Sequence, residues 1–159
     1  MTETAIQRTA VHATFCLERE YPASPARVFK AFADPKAKAM WFGGPASWTE
    51  GGAMMDFRVG GREFHSGAHP HGEGTYSFDA LYWDIVPDER IIYSYEMHLN
   101  GQKISVSQTT IEIKPAGRGT RLVFTEQGVF LDGWDYPHLR EEGTRELMEA
   151  LGRSLAADA

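Results

Sequence analysis

With 159 residues, 42 % apolar and 24 % charged, the chain has the composition of a soluble globule and the length of one domain, 1–159, whose core spans about 11–156. A net charge of −6 without a basic stripe argues against nucleic acid, and no stretch approaches the roughly 18 apolar residues of a membrane span. Residues 1–11 lack the features of a signal peptide, and Cys16 has no second cysteine to pair with, so a reducing, cytoplasmic setting with no export or membrane insertion is expected.

Residues 11–21 place Val11, Ala13, Phe15, Leu17 and Tyr21 on one parity, the period of a half-buried strand, and Pro22 ends it. Ser24-Pro25 reads as an N-cap followed by proline in the first turn, with Val28, Phe29 and Phe32 on the apolar side of the helix. Asp34-Pro35 stops it and starts a second short helix through Met40, and Trp41-Phe42-Gly43-Gly44-Pro45 then turns a corner.

Six strand-like segments follow. The first carries Met55, Phe57 and Val59 on one parity and Asp56 and Arg58 on the other, an arrangement that suits an outer-face ion pair. Gly60-Gly61 then permits a tight turn before residues 62–66 return. Residues 67–74 read as a glycine-rich loop. Strands at 75–86 and 90–97 flank the turn at 87–89, Asn100-Gly101 signals a hairpin, and strands at 103–114 and 120–127 flank the turn at 115–119.

From Pro137 the period changes. Leu139, Leu147, Leu151 and Leu155 fall four or eight residues apart, with Met148 and Ala150 widening the stripe of one long helix. Gly143 and Gly152 weaken that helix by roughly 1 kcal/mol each relative to Ala, so it must be held by packing on the sheet. A curled antiparallel sheet under a single helix tends to enclose a cavity.

This order, and several strings within it, resembles the helix-grip fold of the START and birch-pollen-allergen (SRPBCC) superfamily, and more closely its family of homologues of the heat-shock chaperone ATPase activator. The strings are Tyr21-Pro22-Ala23-Ser24-Pro25, Trp41-Phe42-Gly43, Asp56-Phe57-Arg58-Val59-Gly60-Gly61, Asp84-Ile85-Val86-Pro87, Gly119-Thr120-Arg121-Leu122 and Gly133-Trp134. The resemblance covers about residues 14–156. It implies an α+β fold, a curved antiparallel sheet wrapped around a long C-terminal helix with two short helices after the first strand. For function it implies a carrier or receptor of a small molecule, an enzyme or a co-chaperone, and fold alone does not choose. Nothing in the chain matches the extra domain through which larger relatives engage a chaperone.

Trp41, Trp48, Phe57, Tyr76, Tyr93, Tyr95, Phe124, Phe130 and Trp134, with Leu147 and Leu151 from the helix, are the expected lining of the cavity. Large apolar side chains with single polar handles suit a hydrophobic or amphipathic ligand, though the same residues also make a packed core. Glu126 shares a face with Leu122 and Phe124. It is a proton acceptor or ligand anchor on one reading and a tie for the loop at 127–132 on the other. Gln108 is a further polar candidate of either orientation. The segments at 67–74 and 127–134 are expected to gate access.

His65, His69, His71 and Glu73 have metal-like spacing, but a glycine-rich loop does not fix ligand geometry. No metal or other cofactor is expected. Cys16 lies on the polar parity of its strand with no activating group nearby in sequence, and the glycine pairs form no phosphate-binding fingerprint. Sheet edges and exposed aromatics offer surfaces for a homodimer, without a signature that specifies one.

Overall fold

The computed structural model describes residues 5–42, 53–68 and 74–157. Their order is β1 (Ala10–Tyr21), α1 (Pro25–Ala33), α2 (Pro35–Ala39), β2 (Ala53–Met55), β3 (Arg62–Ala68), β4 (Thr75–Val86), β5 (Arg90–Leu99), β6 (Gln102–Ala116), β7 (Gly119–Leu131) and α3 (Pro137–Ala157). The strands form one seven-stranded antiparallel sheet in the order β1-β7-β6-β5-β4-β3-β2, so the first strand returns to pair with the last. This is the expected α+β helix-grip architecture. Among the described residues no helix is long and apolar enough to cross a membrane.

Local chemistry accounts for the boundaries. The Ser24 side chain accepts from Arg27 N at 3.2 Å and caps α1, and Asp34 both ends α1 and caps α2 through Lys36 N. Asn100 and Gly101 both adopt positive φ, as a two-residue hairpin loop between twisted strands demands. Register shifts between Tyr82 and Asp84 and between Met97 and His98 bend the sheet and make one face concave.

That face holds the core. Leu17, Tyr82, Ile91, Tyr93, Ile111, Leu122 and Phe124 from the sheet meet Val28 and Phe32 of α1 and Met148, Leu151 and Leu155 of α3. The Tyr21 hydroxyl donates to Met148 O at 2.8 Å and pins the end of β1 to α3.

Several details differ from the sequence reading. β2 stops at Met55 because residues 56–61 form a turn closed by Asp56 N–Arg62 O and Gly61 N–Arg58 O bonds, which leaves Val59 exposed. A Cβ on Gly61 would lie 2.1 Å from Asp56 O, so only glycine fits there. Gly67 and Ala68 belong to β3, and β7 runs on to Leu131, so residues 127–131 are paired strand between β1 and β6 and not a gate. The buried stripe of α3 is also rotated: Thr144, Met148, Leu151 and Leu155 are buried, while Leu139 is exposed and Leu147 half-buried. The corner at 43–45 lies outside the described residues.

The two glycines of α3 differ in surroundings. A Cβ on Gly143 meets nothing within 4 Å, whereas one on Gly152 would lie 3.2 Å from the Tyr21 ring. Gly143→Ala is therefore expected to stabilise the protein by about 1 kcal/mol in urea denaturation. Gly152→Ala should show a smaller gain or a loss, and equal gains at both positions would contradict the close packing of Tyr21 on the helix.

Candidate functional site

Strand register lays the concave face out in rows. One row runs Phe15, Glu126, Thr109, Tyr93, Tyr82 across β1, β7, β6, β5 and β4. The next runs Ala13, Gly128, Ser107, Tyr95, Ala80, Glu63, and the third Val11, Phe130, Ser105, Met97, Phe78, His65. The middle row is mostly small side chains, so large groups from neighbouring rows and from the helices reach over it.

Two buried polar clusters result. At the β3 side Lys38 Nζ lies 2.8 Å from both Glu63 oxygens, His65 Nε2 donates to Oε2 at 2.7 Å, and the Tyr82 hydroxyl donates to Oε1. Lys38 also sits over the Phe42 ring, 4.4 Å from its centroid. Burial pushes the Glu63 carboxyl up, but Lys38 and the hydrogen bonds from His65, Lys38 and Tyr82 outweigh it and hold it down at about 2.

At the α3 side Glu126 is 2 % exposed, and each of its oxygens accepts from a hydroxyl: Tyr95 at 2.9 Å and Thr109 at 3.0 Å. Arg140, in the first turns of α3, donates to the Tyr95 oxygen, to Ser105 Oγ and to Asp135 Oδ2, and stacks its guanidinium over the rings of Tyr95 and Phe130. Burial raises the Glu126 carboxyl above its ordinary range, and Arg140 with the two hydroxyls only partly offsets this. Burial likewise raises the phenols of Tyr93 and Tyr95. Burial opposes the Arg140 charge, yet Tyr95, Asp135 and Glu126 together hold it firmly protonated. A buried carboxyl raised above its ordinary range, beside a phenol and a fixed cation, can accept a proton or orient a polar head group.

The structure brings Tyr93, Tyr95, Phe124, Glu126 and Phe130 together on this face, with Leu151 of α3 buried in the same core and Leu147 half-buried beside it. Tyr76 is half-buried at the rim, where the opposing charges of Asp135 and Arg140 both act on it. Trp41 is buried, but its indole N–H is taken by Ala31 O at 2.9 Å, so it belongs to the contact between α1 and α2. Phe57 sits in the turn after β2 and packs edge-on against Phe29 and Tyr82.

Three candidates are not among these buried residues. Gln108 is exposed, because the inward parity of β6 belongs to Ser105, Ser107 and Thr109. Trp134 is 44 % exposed in the turn before α3, outside the concave face. Trp48, with His69, His71 and Glu73 of the histidine group, lies outside the described residues. His65 is engaged with Glu63. Asp56 and Arg58 form the expected exposed ion pair at 2.8 Å.

Lys38, Glu63, Asp135 and Arg140 were not signalled by motif. Arg140 was legible in principle, since 140, 144, 148, 151 and 155 fit helical spacing better than the leucines do. Glu63 shares its parity with His65, as a hairpin strand requires. Two open depressions of about 330 and 320 Å³ at the strand ends are lined by groups such as Glu89, Arg90, Glu112 and Lys114, or Glu20 and Pro22. Neither is lined by a residue of the buried clusters.

Fold and inward polar face together define a helix-grip protein of the SRPBCC type. Residues 22–157 match the family described as activator of Hsp90 ATPase homolog 1-like protein, and the chain belongs to that family. It is 42 % identical to an uncharacterized protein from Rhizobium leguminosarum over 95 % of this chain and 99 % of that one, with a TM-score of 0.89. It is 46 % identical to a protein from Rhizobium loti over 92 % and 99 %, with a TM-score of 0.84. An AHSA1-like protein from Aeromonas hydrophila, 19 % identical over 92 % and 94 % with a TM-score of 0.66, shares the fold. No curated protein sequence matches the chain.

The two carboxyls should leave opposite marks on stability. Glu63, lowered on folding, contributes stability that is present above the ordinary glutamate range and lost as pH falls toward about 2. Glu126, raised on folding, disfavours the native state as pH rises through and above that range. At pH 7 Glu63→Gln is expected to cost about 3 kcal/mol, since it leaves Lys38 buried without its counter-charge. Glu126→Gln should be neutral or stabilising and should flatten the decline in stability above the ordinary glutamate range. Urea denaturation across pH 4–8 distinguishes them, and equal losses for both variants would refute the contrast.

Proposed function

We propose that this protein binds a small hydrophobic or amphipathic molecule between the concave sheet and α3, in a cytoplasmic setting and as a single 1–159 domain. The observation that carries the reading is the Glu126–Tyr95–Arg140 network: a buried, incompletely neutralised polar group on a face that also carries the buried rings of Tyr93, Phe124 and Phe130. A core built for stability alone gains little from such a group, because well-packed apolar residues would serve as well or better. A binding site needs it, since apolar walls supply affinity and a few placed polar groups supply orientation. Membership of the family and the shared fold are consistent with this and name no ligand.

A second reading is an enzyme acting in the same place, favoured by one contact: the Tyr95 hydroxyl donates directly to the raised carboxyl of Glu126 at 2.9 Å. Such a pair can remove a proton at one atom of a bound molecule and return it at another.

Titration of the protein with a panel of aromatic and acyl compounds, followed by calorimetry and tryptophan fluorescence, is expected to give saturable binding for at least one. Tyr95→Phe should weaken it by about tenfold through loss of an oriented hydrogen bond. If no compound binds up to its solubility limit, the reading fails. Mass spectrometry of the incubated panel tests the second reading: a compound consumed by the wild type and spared by Glu126→Gln supports an enzyme, and an unchanged panel removes it.

A further inference from the structure

We propose that Arg140 is the anchor for the carboxylate of an amphipathic acid, and that Asp135 occupies this anchor when no ligand is bound. The inference rests on the binding reading above and names the head group that site takes.

Arg140 is nearly buried, and its contact with Asp135 uses one guanidinium nitrogen and one carboxylate oxygen. The other Asp135 oxygen accepts from Tyr136 N at 2.8 Å, so Asp135 is divided between the cation and the backbone of its own turn. A guanidinium fork binds a carboxylate best through two parallel hydrogen bonds. A free carboxylate is not tied to residue 136 and can adopt that geometry.

A second observation points into the same place. Ser107 is 2 % exposed, and its hydroxyl has no hydrogen-bond partner. It stands on the inward face of β6 one step from Ser105, whose hydroxyl accepts from Arg140 at 3.0 Å, and one step from Thr109, which donates to Glu126. Steps on one strand face are about 7 Å apart, within the span of a small head group held by Arg140. An orphaned buried hydroxyl costs stability, and a ligand oxygen would satisfy it.

The apolar body of the ligand would lie along α3, where Gly143 and Leu147 follow Arg140 at helical spacings of three and seven and a Cβ on Gly143 would meet nothing within 4 Å. The Phe130 ring lies beneath the guanidinium. Asp135 has a short path to water, since its neighbours Trp134 and Tyr136 are 44 % and 53 % exposed. Exchange of one carboxylate for another keeps the charge of the buried cluster unchanged, as a buried cation requires.

The test compares 4-phenylbutanoate with 4-phenylbutan-1-ol, which share one apolar body, by calorimetry on the wild type, Asp135→Asn and Arg140→Gln. The wild type is expected to prefer the acid by about tenfold or more, as a charge-assisted hydrogen bond exceeds a neutral one. Asp135→Asn should tighten the acid about fivefold or more by removing its competitor and shift the alcohol less than about twofold. Arg140→Gln should abolish the preference, and Asp135→Asn decides the matter if that variant fails to fold. Equal binding of acid and alcohol with no change in Asp135→Asn would overturn the anchor and leave the binding reading standing. Weaker acid binding in Asp135→Asn would also overturn it, by showing that Asp135 assists the ligand. Absence of binding by both compounds in every variant would count against the anchor and the binding reading together.

Discussion

Two carboxylates buried on the concave face of one sheet set the terms for the rest of this structure. Glu63 and Glu126 cannot stay in an apolar interior as bare charges, so each must be met by donors from outside its own strand. Each is met by a helix: α2 brings Lys38 to Glu63, and α3 brings Arg140 toward Glu126. The helices are thus docked by charge as well as by apolar contact, and their positions over the sheet follow from where the carboxylates stand.

The two pairings are not equivalent. Glu63 is saturated: an ammonium on both oxygens, a phenol and an imidazole hold it ionised. Glu126 has two neutral hydroxyls, and Arg140 bonds to Tyr95 and not to the carboxyl; its charge lowers the carboxyl, but burial prevails and the carboxyl is raised. The first cluster is a structural clamp between α2 and the short-stranded edge of the sheet. The second is incompletely neutralised, and the Ser107 hydroxyl on the same face has no partner; the proposed binding role draws on both.

Much of this was legible in the sequence. Alternation along β7 placed Glu126 inside with Leu122 and Phe124, and cap and turn residues marked both short helices and the Asn100-Gly101 hairpin. Other features were hidden for physical reasons. Alternation through Phe57 and Val59 imitated strand beyond Met55, where Gly61 closes a turn that only its missing side chain allows. Residues 127–131 looked like loop because their pairing with β1 lies more than a hundred residues away in the chain. Arg140 was obscured because its helix was read by its leucines, whereas the face it shares with Thr144 and Met148 is polar at one end by design of the site.

The central claim is that Glu126, and not Glu63, is the incompletely neutralised carboxyl of the concave face. Carbon-13 NMR of the side-chain carboxyls, assigned to each residue and followed through acid and neutral pH, tests it most directly. The account predicts that Glu63 stays ionised down to about pH 2 while Glu126 titrates above the ordinary glutamate range and shifts when an amphipathic ligand is added. A Glu126 carboxyl that titrates at or below that range and is unmoved by every ligand would contradict it.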